Sequence, residues 1–511
     1  MSTNMILLLL LAGVVLALLW KYTRTPPYPP NLPLPPGPKG LPIIGSALDI
    51  PATHAWRAYT QWAKQYGDVI HMNALGQSII ILSSNKAIND LIEKRAINYS
   101  DRVQQEMATI MGWRWSFGLM VYGPVWKRYR RSFHQNFNST VVHGFQPVHI
   151  EWSRKLLQAL YREPAQFMYH IRYAMGAIIL ATIYGIDIQD KNDKYIEIAE
   201  KAMEGASEGF VPGSFLVDYI PMLRYVPAWF PGAEFQRKVA VWKTWAHDLV
   251  HVPWQNLRRD APFPSAAMRS IEKFSHLEGA AYAEEEEVAR SACAAGYSAG
   301  IDTTTGTLQC FLLAMAMYPE AQKKAQEELA QVVGADRLPE YYDRPSLPYI
   351  EAVLTECSRW QPIVPLGLAQ QSVSDDEYNG CLIPGGSVVM LNIWAMLRDP
   401  LRYPEPEEFK PERYIKNGRF DASAAEPISM IFGAGRRICP GRHFANDTLY
   451  ISMASILHVF DISPPVDAQG KLEPKMTSGF LSLPNAYDCI IKPRSKYAES
   501  LITGYTSPKT L

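Results

Sequence analysis

Residues 432–441 read Phe432-Gly433-Ala434-Gly435-Arg436-Arg437-Ile438-Cys439-Pro440-Gly441, and an apolar stretch with helical spacing follows at 441–458. Glycine accepts backbone turns that are closed to other residues. The segment therefore predicts a tight turn holding Cys439 just ahead of a helix. A thiolate held to haem iron must be close to the metal, shielded from water and hydrogen-bonded by backbone N–H groups. Gly433, Gly435 and Gly441 permit a turn that does this. The helix beyond Gly441 would aim the positive end of its dipole at the sulfur and favour the ionised form. Phe432 can cover the thiolate side of the cofactor, and Arg437 can pair with a carboxylate such as a haem propionate. A plain glycine turn with a buried thiol is the competing reading. A nucleotide-binding loop fits less well, because the glycines do not continue as Gly-x-Gly-x-x-Gly and no strand–helix–strand unit surrounds them.

Three other stretches bear on the same chemistry. Glu356 and Arg359 lie three apart on an expected helix at 346–360, so they share a face. An exposed pair would matter little, but Val353, Leu354 and Trp360 suit a buried one, which needs further partners. Arg413, in Pro411-Glu-Arg-Tyr414, can be such a partner. Ala299-Gly-Ile-Asp-Thr-Thr304 sits inside a long helix expected from Glu284 to about Met317, with Glu284–Glu287 as acidic residues at its start. Asp, Thr and Gly disfavour a helix interior, so the stretch is either a tolerated polar patch or a groove or kink with a purpose. The purpose would be proton delivery at a dry site, which needs an acid and an alcohol. In Trp126-Lys-Arg-Tyr-Arg130, Trp126 and Arg130 stand one turn apart and could both reach a propionate. A basic amphipathic helix is the alternative there. Lys127, Arg128 and Arg131 add charge that could receive an acidic electron donor.

Composition limits the rest. The chain has 511 residues, 48% hydrophobic and 20% charged, with zero formal net charge. Nucleic-acid binding is disfavoured, since it needs a basic footprint. Of six cysteines, Cys293, Cys310, Cys357, Cys381 and Cys489 read as buried free thiols, with no CxxC spacing. Met5–Trp20 is almost wholly apolar and uncharged, and Lys21 and Arg24 follow it. A basic start and a small-residue cleavage site are missing, so a retained anchor is favoured over a cleaved signal. Pro26, Pro27, Pro29, Pro30, Pro33, Pro35, Pro36 and Pro38 predict a stiff extended spacer, or else a disordered linker. The expected organisation is a membrane anchor at 1–22, a proline-rich hinge at 23–45, and one catalytic domain at 46–511. Coarse periodicity gives a helix at 51–66, short strands at 68–83, helices from about 120 to 335, and strands at 376–393 around Asn379-Gly380.

The cysteine loop resembles the cytochrome P-450 pattern FxxGxRxCxG at every fixed position, and Ala445 fits its usual extension. Glu356/Arg359, Pro411–Tyr414, Asp302/Thr303 and Trp126/Arg130 resemble the family's other motifs. The likeness covers essentially the whole chain. Tyr99-Ser-Asp-Arg102, Met111-Gly-Trp113 and Phe133-His-Gln135 look like fungal microsomal members of secondary metabolism, the O-methylsterigmatocystin oxidoreductase-like group included. The resemblance implies a mainly α fold with small β-sheets, preceded by one transmembrane helix. It implies heme b with an axial thiolate from Cys439, and Arg437, Trp126, Arg130, Phe432 and Gly433 around the cofactor. It implies Asp302 as the acid and Thr303 as the alcohol of proton delivery. Glu356, Arg359 and Arg413 become a structural lock rather than a catalytic set. The implied activity is monooxygenation of a lipophilic small molecule using O2 and NADPH. Electrons would come through a separate NADPH-cytochrome P-450 reductase, with cytochrome b5 as a further donor, at the endoplasmic reticulum membrane with the catalytic domain in the cytosol. A terpenoid or polyketide-type substrate is favoured, and an aromatic or indole amine fits nearly as well. Phe210–Gly232 would roof the pocket and touch the membrane, or else form a packed long loop. Met111–Met120, Ile363–Leu366 and Phe480–Leu481 would line the pocket. A haem-thiolate isomerase or dehydratase, or a non-catalytic haem-binding protein, remains an alternative. One departure stands out: after Val364-Pro-Leu-Gly367, where relatives carry Pro-His-Arg, this chain has Ala369-Gln370-Gln371. A basic propionate partner is expected to be missing there.

Overall fold

The computed structural model describes Gly13 and residues 32–42, 44–189, 192–210, 215–261, 264–424, 426–465 and 472–506. Apart from Gly13, the apolar run Met5–Trp20 and the first prolines of the spacer lie outside the described residues. Among the described residues, no helix is long and apolar enough to cross a membrane. The chain forms two compact units and passes from one to the other after residues 103, 364, 398, 432 and 437.

The first unit holds Met1–Val103, Pro365–Arg398 and Gly433–Arg437. Its sheet has Val69–Ala74 antiparallel to Gln77–Leu82, which runs parallel to Val388–Leu391, which in turn pairs antiparallel with Gln370–Gln371. Gln77–Leu82 is an interior strand. Accordingly Ser78–Leu82 are buried along the run rather than on alternate residues. The expected Asn379-Gly380 turn is present, both residues having positive φ (53° and 74°) between Asp376–Tyr378 and Cys381–Ile383. The proline-rich segment is partly fastened to this unit: Leu382 N–H donates to Pro33 O, and His71 N–H to Pro36 O. From Pro33 onward it is therefore part of the packed structure and not a free spacer.

The second unit is mainly helical. At its centre lies the helix Gly279–Met317, against which Phe167–Tyr184 packs. Close approach requires small residues. A Cβ at Gly300 would lie 2.6 Å from Ile179 Cδ1, and one at Gly296 2.8 Å from Phe133 Cε2. The glycine of the Ala299–Thr304 stretch thus has a packing reason, and the expected groove or kink is not needed to explain it. The long helix also starts earlier than expected, at Gly279. This leaves Glu284 and Glu285 in its second turn, where they pair with Arg128 (3.0 Å for Glu285). Three cysteines (Cys293, Cys310, Cys357) are buried, while Cys381 and Cys489 are only half-buried; all are free thiols.

Glu356 and Arg359 lie on Pro348–Trp360, and both are completely buried. Arg359 donates from Nε to Glu356 Oε2 (2.7 Å) and from Nη2 to Oε1 (2.8 Å), a two-pronged pair. It also donates to Pro406 O at 2.7 Å and to Glu408 O at 2.9 Å. Glu356 also accepts from Lys410 N–H (2.8 Å), Tyr414 O–H (3.0 Å) and Arg413 Nε (3.3 Å). A buried ion pair survives desolvation only when its remaining hydrogen-bonding capacity is met in this way. The pair fixes the segment 406–414 against the helix, and Tyr414, at the end of that segment, contributes a hydroxyl where an apolar ring could not. Glu356→Ala should strand Arg359 in the core and cost about 3–5 kcal/mol of stability. A urea midpoint within error of the parent protein would show that the pair is not structural.

Candidate active site

Cys439 precedes the helix Arg442–Val459 in the second unit. Its N–H donates to Phe432 O at 2.8 Å, closing the loop. The backbone N–H groups of Gly441 and Arg442 bond to its sulfur. Burial is the largest effect and holds the thiol pKa above its ordinary value, while those two N–H groups and the charges of Arg130 and Arg442 pull against it. These are the contacts expected around a sulfur that carries charge. Gly441 has φ −89°, an ordinary value, and a Cβ there would meet the cysteine sulfur at 3.9 Å. So the turn does not demand glycine's freedom at 441.

Trp126 and Arg130 lie on Pro124–Phe137, with the guanidinium 5.6 Å from the indole centroid. Arg130 Nη2 donates to Ile438 O. Burial lowers its pKa, and its charged neighbours are Cys439 and Arg442, not a carboxylate. A mostly buried guanidinium that no acid of the described residues neutralises suits an anionic group such as a haem propionate. Arg128 is not available in the same sense, since Glu284 and Glu285 hold it. Lys127 and Arg131 of that helix are exposed.

Asp302 and Thr303 are neighbours on the long helix, but their side chains are engaged separately. Asp302 is buried, its Oδ1 2.7 Å from Arg172 Nη1 on Phe167–Tyr184. Thr303 is half-buried and donates from Oγ1 to Ala299 O at 2.8 Å, within its own helix. Arg172 was not foreseen. In Phe167-Met-Tyr-His-Ile-Arg172 it reads only as a polar residue on an apolar helix.

In the first unit, Gly433 and Gly435 take positive φ (78° and 63°). A Cβ at Gly435 would lie 2.5 Å from Ile92 O, so backbone approach as well as conformation requires glycine there. Its N–H donates to Glu93 Oε1 at 2.7 Å. Arg437 is buried and donates from Nε to Ser100 O at 2.7 Å. Gln370 is buried in its strand with no hydrogen-bond partner for Oε1. Beside it in sequence, Leu368 and Ala369 give their carbonyls to the buried guanidinium of Arg102, the latter at 2.8 Å. Sequence reasoning quoted Arg102 only as part of a fungal-looking stretch and gave it no role. Two clefts, of about 590 and 560 Å³, are lined by residues such as Asp193 and Arg258 in one case and Glu93 and Arg436 in the other. Neither includes Cys439, Asp302 or Thr303.

The comparisons agree with this chemistry. The cytochrome P450 family model matches residues 35–491. Cytochrome P450 monooxygenase COX1 of Coprinopsis cinerea is 40% identical over 93% of this chain and 94% of its own length. Cytochrome P450 monooxygenase ple1 of Rhodocybe pseudopiperita is 40% identical over 92% and 91%. Tryptamine 4-monooxygenase of Psilocybe cyanescens is 37% identical over 92% and 95%. With a family match over residues 35–491 and relatives about 40% identical over nearly all of both chains, the chain belongs to the cytochrome P450 family, enzymes that hold haem through a cysteine thiolate.

Proposed function

We propose that this chain is a membrane-associated monooxygenase that oxidises a lipophilic small molecule with O2 and electrons from NADPH. Cys439 would hold heme b through its thiolate. The observation that carries the reading is the sulfur of Cys439, set at the start of Arg442–Val459 with two backbone N–H groups upon it and Arg130 nearby. Haem, when bound, supplies the binding and reductive activation of dioxygen. Trp126 and Arg130 would hold a propionate. Gly433 and Phe432 shape the loop. Asp302 and Thr303 carry protons inward, the acid recharging the alcohol. Glu356, Arg359 and Arg413 keep the proximal segment in place. A thiolate isomerase would not need Asp302 and Thr303, and the relatives compared above are named monooxygenases.

The substrate is a terpenoid or polyketide-type intermediate of fungal secondary metabolism. The relative named tryptamine 4-monooxygenase gives an aromatic amine the second place. Met5–Trp20 anchors the chain in the endoplasmic reticulum membrane, with the folded part in the cytosol, where a separate NADPH-dependent reductase, and cytochrome b5 as a further donor, supply electrons. Support for lipid contact comes from 216–229. Leu216, Met222, Tyr225 and Trp229 are 59%, 73%, 73% and 77% exposed, which a packed loop would not show.

The dithionite-reduced protein should give a strongly red-shifted Soret band with carbon monoxide, and Cys439→Ala should lose it. A band at the imidazole-haem position would sink the ligand assignment. Thr303→Ala should keep that band yet divert NADPH electrons from product to peroxide; unchanged coupling would make Thr303 structural. In a chain beginning at residue 31, Tyr225→Ser with Trp229→Ser should weaken partition into liposomes by on the order of tenfold or more. Equal partition would remove this face from the membrane.

A further inference from the structure

On the helix Glu234–Gln255 of the second unit, His247 and His251 stand four residues apart, so both rings lie on one face. Their centroids are 4.2 Å apart and the ring planes differ by 27°. The face is open to solvent: the His247 side chain is 64% exposed and that of Asp248 34%, and His251 is half-buried. Asp248 lies three residues before His251, hence on the same face, and its Oδ1 is 3.3 Å from His247 Nδ1. A carboxylate there keeps the proton of neutral His247 on Nδ1 and leaves the Nε2 lone pair free. In this arrangement an acid orients an imidazole ligand and makes it more basic. Partial burial, His247 and Arg290 of the long helix lower the His251 pKa, against the pull of Asp248. His251 is therefore in its neutral, metal-binding form at neutral pH.

We propose that His247 and His251 form a chelating site for a divalent transition-metal ion of the zinc, nickel or copper class, with Asp248 positioning His247. Paired imidazoles suit these ions and not Mg2+ or Ca2+, which take oxygen ligands. Zinc binds imidazole nitrogen at about 2.0–2.1 Å, so two rings whose centroids are 4.2 Å apart need only tilt toward one another to share an ion. Among the described residues, no three histidine, cysteine, aspartate or glutamate side chains are grouped to hold a metal. The site thus has two protein ligands, and water completes it. The consequence lies in the helix itself. Pro253 has no N–H to give to the carbonyl four residues back, which weakens the turn around and beyond His251. An ion bridging 247 and 251 braces the helix at this weak turn. Trp254 Nε1 bonds to Glu286 Oε1 of the long helix at 3.1 Å, so the brace acts where Glu234–Gln255 meets the core.

The test uses the full-length, haem-loaded protein at about pH 7.5, with Ni2+ as the probe. Uptake is measured by equilibrium dialysis, and the thermal midpoint is followed with and without the ion. Other histidines and thiols take up some metal, so the quantity read is the difference between the parent and a His247→Ala/His251→Ala double variant. The parent should bind one more Ni2+ per chain than the double variant. Each single variant should lose that ion, because one imidazole does not chelate. Asp248→Asn should keep it with an affinity lowered by roughly tenfold. Ni2+ should raise the midpoint of the parent and not that of the double variant, the linkage expected of a ligand held only by the folded chain. Both differences should vanish at about pH 5, where the imidazoles are protonated. Alanine favours helix and both positions are accessible, so the variants should match the parent in circular dichroism. Equal Ni2+ uptake by parent and double variant, or an equal rise in both midpoints, would overturn the proposal. Unchanged affinity in Asp248→Asn would remove Asp248 from it.

Discussion

The charge on the Cys439 sulfur has to be compensated inside protein, and much of the surrounding structure answers that need. Two backbone N–H groups at the start of Arg442–Val459 reach the sulfur. They can do so because the cysteine stands just before the helix, where such groups have no partners of their own. Arg130 adds a positive charge from a different helix and is itself steadied by the Ile438 carbonyl and the Trp126 ring. Burial still holds the Cys439 thiol above its ordinary pKa, as it does Cys293, Cys310 and Cys357, but only at Cys439 do the contacts described here pull against it.

A second constraint is the buried pair of Glu356 and Arg359. It is an ion pair only in a narrow sense, since most of its hydrogen bonds go to the backbone of 405–410 or to Tyr414 and Arg413. Its task is to fix irregular chain that regular secondary structure does not fix. Charge placed in a low-dielectric interior adds little net stability of its own, and losing one partner is what costs the fold.

The sequence showed the elements whose signal is local. The cysteine loop, the helix after it, the Asn379-Gly380 hairpin and the pairing of Glu356 with Arg359 all follow from spacing and turn chemistry. What it did not show depends on distant partners. Arg172 looks like any polar residue on an apolar helix until Asp302 is placed beside it. Arg102 acquires a function only when its contacts with Leu368 and Ala369 are known. Gly300, in a stretch whose sequence suits either a polar patch or a groove or kink, is explained by the close packing of Ile179. Arg128, grouped by sequence with Lys127 and Arg131 as charge for an acidic donor, is paired with Glu284 and Glu285, partners more than 150 residues away. The cysteine loop is also divided between two anchorages. Gly433–Arg437 fasten to the first unit through Glu93 and Ser100, and Cys439 belongs to the second; no local pattern carries that division.

The parallel pairing of Gln77–Leu82 with Val388–Leu391 has a consequence for the protein's birth on the ribosome. Ser78 and its hydrogen-bonded neighbour Ser387 are 309 residues apart in the chain. At about 5–20 residues per second, the first strand waits roughly 15–60 s for its second neighbour to be made. During that time Gln77-Ser-Ile-Ile-Ile-Leu82, uncharged and rich in β-branched residues, presents an open edge of the kind that recruits other chains. Such an edge is one a holding chaperone would cover until Val388–Leu391 emerges, and it makes the interval before that pairing the stage most exposed to aggregation.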